Sequence, residues 1–209
     1  MGDIFEILKR LRAGGGDAAP AGVEWIVAGL GNPGREYEKT RHNAGFLCLG
    51  DLAERYGVSL NRTKFKALTA RCEIAGKGVL LLCPLTYMNL SGESVRAAAD
   101  YYHVPPSRII AVCDDIYRDV GRLKIKRKGS DGGHKGLASI IYQLESDAFP
   151  RIKIGVGAKP EGWELADWVL SRFSDDELEP LTRAISLACD GIPLIIEGKT
   201  EEAMQKCNL

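Results

Sequence analysis

The sequence carries no net charge. Its 28 lysines and arginines match its 28 aspartates and glutamates, so no global field draws it to nucleic acid or to an anionic membrane. Any site for a polyanion must be a local patch. It has no apolar run near the roughly 20 residues that a membrane helix needs. Its start, MGDIFEILKRLRAGGGDAAPAG, is too polar and too charged for a secretory signal. It has no Cys-x-x-C either. Cys48, Cys72, Cys83, Cys113, Cys189 and Cys207 stand apart, most of them inside apolar runs, as small buried hydrophobes of a reducing cytosol would. No histidine lies at ligand spacing from a cysteine, so no structural zinc is expected. Internal repeats are absent. These absences point to a soluble cytoplasmic protein without a membrane anchor.

The chain has 209 residues, 45% of them hydrophobic. That length fits one domain able to bury about 70% of its unfolded surface. Ile4, Phe5, Ile7, Leu8 and Leu11 give residues 3 to 12 one or two amphipathic turns, and AGGGDAAPAG (13 to 22) reads as a linker. Residues 1–22 are therefore expected to be an extension and 23–209 the domain. Trp25 to Leu30 and Gly78 to Cys83 are continuously apolar, as strands buried on both faces are. Strands are also expected over 64 to 73, 108 to 113, 122 to 127 and 151 to 156. Helices are expected over 43 to 56, from a Ser91 cap to before Pro105, over 136 to 144, and from the capping box Ser174–Glu177 toward Asp190. Strands alternating with helices argue an α/β fold. We expect a single-domain three-layer sandwich with a mixed, largely parallel central sheet flanked by helices.

Gly29, Gly31 and Gly34 form a G-x-G-x-x-G pattern after the first strand. A dinucleotide loop needs a helix to open at once, with its amides facing the pyrophosphate. Here about ten polar residues follow instead, and Asp51, at the distance of a ribose-binding acid, falls inside a helical pattern. The loop more naturally presents side chains: Asn32, His42 and Asn43 follow the carboxyl end of a strand, where α/β sheets bind ligands. His42 has the residue type of a general base. Two further stretches keep it company. PLTYMNLSGES (84 to 94) follows a second buried strand, and CDDIYRDVGRLKIKRKGSDGGHKGL (113 to 137) follows a third. Asp114 in the latter is suited to hold His42 in one tautomer.

GLGNPGREYEKTRHNAGF, PLTYMNLSG and the DD…GGHKGL stretch together resemble the bacterial peptidyl-tRNA hydrolase family in order, composition and spacing. The resemblance covers residues 24 to about 200. The family hydrolyses the ester joining a peptide to the 3′ ribose of tRNA. It thereby recycles tRNA from peptides released by ribosomes. The resemblance implies that His42 is the catalytic base, that Asp114 supports it, and that Asn32 helps tell N-blocked from free aminoacyl-tRNA. It places Tyr37, Tyr87 and Asn89 at substrate or tRNA contacts, Met88 along the peptide site and His134 beside the cleft. It implies no cofactor, no metal and no obligate protein partner, and a monomer is expected.

The stretch departs from the family once: Lys135 stands where G-G-H-N-G has asparagine, so a group that donates and accepts is replaced by a charged donor. The basic run Arg118, Arg122, Lys124, Lys126, Arg127 and Lys128 then reads as a phosphate-contacting strip, extended by Lys39, Arg41, Lys64 and Lys66. Zero net charge leaves an acidic opposite face, to which Glu161, Glu164, Asp175, Asp176, Glu177, Glu201 and Glu202 are assigned. Two rival functions remain: a non-catalytic RNA-binding protein on the same scaffold, and a nucleotide-dependent oxidoreductase.

Overall fold

The computed structural model describes residues 22–208. The amphipathic turns expected within 3 to 12, and nearly all of the linker, lie outside them. The described chain forms seven strands: β1 (Trp25–Gly29), β2 (Arg62–Lys64), β3 (Ala67–Ile74), β4 (Lys77–Pro84), β5 (Ile109–Asp115), β6 (Leu123–Lys126) and β7 (Arg151–Gly155). Six helices accompany them: α1 (Ala44–Arg55), α2 (Ser91–Tyr102), α3 (Lys135–Leu144), α4 (Leu165–Val169), α5 (Asp175–Ile196) and α6 (Thr200–Cys207).

The strands make one sheet in the order β2-β3-β4-β1-β5-β7-β6. The central pairs β4–β1, β1–β5 and β5–β7 are parallel; the outer pairs are antiparallel. The apolar strands take the middle because each must be covered on both faces. Alternate residues of β1 divide between two cores, as the period of two requires. Val27 packs with Leu81, Leu49, Leu52, Ile185 and Ile192, under α1 and α5. Ile26 and Ala28 pack with Leu80, Val95, Leu137 and Ile140, under α2 and α3. The result is the expected three-layer α/β sandwich around a mixed, largely parallel sheet. The parallel strands β1, β4 and β5 finish at one edge of it.

Gly29, at the end of β1, and Gly45, in the first turn of α1, serve packing. A side chain on Gly29 would land on the Gly45 carbonyl, and one on Gly45 would land on the backbone of Leu30 and Val112. Backbone meeting backbone is what brings α1 tight against the strand ends.

Several expectations need correction. The strand expected over 64 to 73 is two strands joined by a tight turn at Phe65 and Lys66, both at positive φ (56° and 52°) without being glycine. Lys66 O accepts from Leu85 N (2.7 Å) and from the Ser94 hydroxyl (3.0 Å), which holds the turn. Ser91 does not cap α2. It is the first helical residue, and its hydroxyl donates back to Met88 O at 2.9 Å. The Ser174–Glu177 capping box is present, but its helix runs past Asp190 to Ile196. Helices α4 and α6 were not expected.

Candidate active site

The loops leaving β1, β4 and β5 meet the amino end of α3 around a cavity of about 660 Å³. His42 lies in a short 3-10 turn, Arg41–Asn43, that leads into α1. Asp114 is the penultimate residue of β5 and is 3% exposed. Its Oδ1 accepts from His42 Nδ1 at 2.8 Å and from His134 Nε2 at 2.9 Å. The two imidazoles stand 5.2 Å apart, tilted by 52°.

The hydrogen bonds fix each proton. His134 is the N-cap of α3, and its Nδ1 accepts from Gly136 N (3.1 Å) and Leu137 N (3.2 Å). Nδ1 therefore bears the lone pair, and Nε2 carries the hydrogen that Asp114 receives. His42 gives its Nδ1 hydrogen to the same oxygen, so the Nε2 lone pair of His42 is left for the cavity. Burial alone would push the Asp114 carboxyl up. His42 and then His134 overcome it and hold the carboxyl well below the usual carboxylate range.

Asn32 is placed with equal economy. Its Oδ1 accepts from Met88 N at 2.8 Å, so its NH₂ end is the one left to donate into the cavity. Asn43 holds it from behind: Asn43 Oδ1 accepts from Asn32 N (2.9 Å) and Asn43 Nδ2 donates to Asn32 O (3.0 Å). Tyr87 and Asn89 are exposed at the cavity, and Met88 is buried against the position of Gly136. Lys135 opens α3 at the cavity rim. The structure thus brings His42, Asp114, Asn32, Tyr87, Met88, Asn89, His134 and Lys135 to one cavity. Tyr37 stands apart. It belongs to the turn before His42, where its carbonyl accepts from Thr40 N and Oγ1.

His42, Asp114 and His134 offer ligand atoms within 4.8 Å of one another. The bonding argues against a cation there. Both imidazole nitrogens that face Asp114 carry hydrogen, and His134 could free Nε2 only by giving up its bonds to the helix amides.

The comparisons agree with this geometry. The family model for peptidyl-tRNA hydrolase matches residues 26–209. The chain belongs to the peptidyl-tRNA hydrolase family. It is 48% identical to the peptidyl-tRNA hydrolase of Lachnospira eligens, over 88% of this chain and 99% of that protein. It is 47% identical to that of Clostridium novyi, over 88% and 97%. The crystal structure of peptidyl-tRNA hydrolase from Acinetobacter baumannii superposes with a TM-score of 0.84 at 34% identity, covering 90% of this chain and 97% of that one. Membership makes the chain a hydrolase and gives the rival functions no support.

For a peptidyl-tRNA hydrolase, part of the cavity escaped the sequence. Glu164, Leu165, Ala166, Val169 and Leu170 build one wall, and Asp115, Lys153, Ile116 and Tyr117 build another part. Asp115 sits between Lys153 Nζ (3.2 Å) and Arg118 Nε (3.4 Å). Its position beside Asp114 and the alternation of RIKIG were the available signals. The charge assignments also change. Arg41 is 4% exposed and bonded to Glu177, so it belongs to no phosphate strip. Glu164 lines the cavity itself, and Glu201 pairs with Arg127 (2.5 Å), so neither marks an acidic opposite face.

Proposed function

We propose that the chain hydrolyses the ester between a peptide, or an N-blocked aminoacyl group, and the 3′ ribose of tRNA, with His42 as general base. The observation that carries this is the single free lone pair on His42 Nε2, aimed into the cavity because Asp114 holds the other nitrogen. A water donates its proton to Nε2 as its oxygen attacks the ester carbonyl. The carbonyl oxygen gathers charge, and the NH₂ groups of Asn32 and Asn89 are the nearby neutral donors to receive it. The tetrahedral species then expels the ribose oxygen, which takes the proton back from His42. Ionised Asp114 stabilises the imidazolium between those steps. An ester is labile enough for a base and an oxyanion site, each contributing about 10²–10⁴-fold, to suffice.

Asn32 and Asn89 suit an amide substrate, since a carboxamide can donate to and accept from a peptide bond. A free α-amine would leave such a group unpaired, a basis for preferring N-blocked substrates. Tyr87 offers a face for stacking and Met88 an apolar floor. Lys135 places a cation at the amino end of a helix, against the helix dipole; a phosphate at the rim would offset that cost. Residues 23–209 form the catalytic domain and 1–22 an extension. We further infer a monomer, and a cytoplasmic location that the six free, buried cysteines support; no helix among the described residues is long and apolar enough to cross a membrane.

The test is release of a labelled N-acetylaminoacyl group from tRNA by wild type, His42→Ala and Lys135→Asn. Release by wild type that His42→Ala loses, with unchanged tRNA binding, supports the proposal. Binding without release by wild type would overturn it in favour of the RNA-binding alternative.

A further inference from the structure

The residue before the catalytic histidine is a buried arginine that faces away from the cavity. Arg41 Nη1 and Nη2 grip the Glu177 carboxylate at 2.9 and 2.8 Å, and Nη1 also donates to Val156 O at 2.8 Å. Nε donates to Ser171 Oγ at 3.1 Å, and Arg41 N donates to Ser171 O at 3.0 Å. The guanidinium lies 3.9 Å from the centre of the Trp168 ring and 4.9 Å from that of Phe173.

These partners are not scattered. Val156 and Ser171 are the two ends of the segment that carries α4, and Trp168 is within α4. Trp168 Nε1 in turn donates to Gly157 O at 3.0 Å, which folds the segment's later half onto its start. The opposite side of that segment, Leu165, Ala166, Val169 and Leu170, is a cavity wall. One side chain therefore closes both ends of the wall, and the next residue along the backbone is the base.

We propose that Arg41 is a positioning residue for hydrolysis: it clamps the 156–171 segment so that the wall stands at a fixed distance from His42. The role is to seat the acyl group. It leaves proton transfer alone, because Arg41 touches neither His42 Nε2 nor Asp114. Lysine cannot replace it, since a point charge cannot grip a carboxylate bidentately, stack on an indole and reach two backbone segments together. The proposal rests on the hydrolytic function assigned to the same cavity.

The test combines amide hydrogen exchange with kinetics on full-length wild type, Arg41→Lys and Ser171→Ala, using N-acetyl-leucyl-tRNA and N-acetyl-glycyl-tRNA. In Arg41→Lys, exchange over 157–171 should quicken by about tenfold while β1 and β5 stay protected. KM for the leucyl substrate should rise by about fivefold or more, with a smaller rise for the glycyl one and kcat within about twofold. The pH profile should not move. Ser171→Ala removes only the hydroxyl links and should shift KM in the same direction by less. It decides the matter if Arg41→Lys does not fold. A fall in kcat equal for both substrates with KM unchanged would mark Arg41 as merely structural. Unchanged exchange over 157–171 would refute the clamp, and exchange can be read even if wild type hydrolyses neither substrate, an outcome that would sink the assigned function instead.

Discussion

Asn43 returns two hydrogen bonds to the backbone of Asn32, one from each end of its carboxamide. Asn43 is itself 2% exposed and does not line the cavity, so it acts through Asn32. Asn43→Asp keeps the acceptor, but its second oxygen faces Asn32 O with no hydrogen to give. Leaving such a buried carbonyl unpaired costs about 1–3 kcal/mol. Thermal melting should show that loss. Turnover should fall as well, because the loop that aims the Asn32 amide is no longer fixed. Unchanged turnover in a destabilised protein would separate Asn43 from the site.

Asp114 should be ionised at every pH where the protein is folded and active. Its carboxyl is depressed, so its contribution to stability is full above the unfolded carboxylate value and is lost progressively as pH falls from there through the lower folded value. The acid limb of kcat/KM should therefore show no protonation step near pH 4, the ordinary carboxylate range. A step there would mean that Asp114 titrates in the free enzyme. Asp114→Asn should cut kcat by about 10²-fold or more, since the charge that steadies the imidazolium is gone and the tautomer of His42 is no longer imposed.

Glu177 gives a second pH dependence. Burial raises its carboxyl, but the bonds from Arg41 and Ser174 outweigh that and lower it. A lowered acid stabilises above its unfolded value, so the stability gap between wild type and Glu177→Gln should be constant near neutrality. It should shrink as pH drops through and below about 4.3. Denaturant midpoints at several pH values would read it. A gap that widens in acid would contradict the Arg41–Glu177 geometry.

Gly45→Ala should be among the most damaging small substitutions in the chain. The added methyl meets backbone atoms of Leu30 and Val112, which have no rotamer to change. Overpacking of this kind costs about 1–3 kcal/mol or more. Because Gly45 lies in the first turn of the helix that follows His42, activity per folded molecule should also fall. Melting and turnover measured together would check both.

The sequence showed most of the frame. Runs such as VLLLC and IIAVC read as central strands because nothing but burial on both faces tolerates them, and the loops after the central strands held Asn32, His42 and Asn89; Asp114, expected just past its strand, is still within β5. What it hid has physical reasons. LADWV is too short to show a helical period, and the residues that build the wall, Leu165 and Leu170, stay partly exposed, so no buried pattern marks them. The Phe65–Lys66 turn lacks the glycine or asparagine that usually signals such a backbone. Arg41 read as surface because a cation in a polar loop usually is; only the distant Val156, Ser171 and Glu177 make its burial possible.

The cap on α3 has an effect beyond the helix. The amides of Gly136 and Leu137 point hydrogens at His134, His134 points its own at Asp114, and His42 does the same from the other side. Every hydrogen in the array is thereby committed to one direction, like diodes wired toward a common node. Of the two imidazoles only His42 keeps a free lone pair for a new proton, on its outer nitrogen, and the folding of a helix ten residues long is what closes the other.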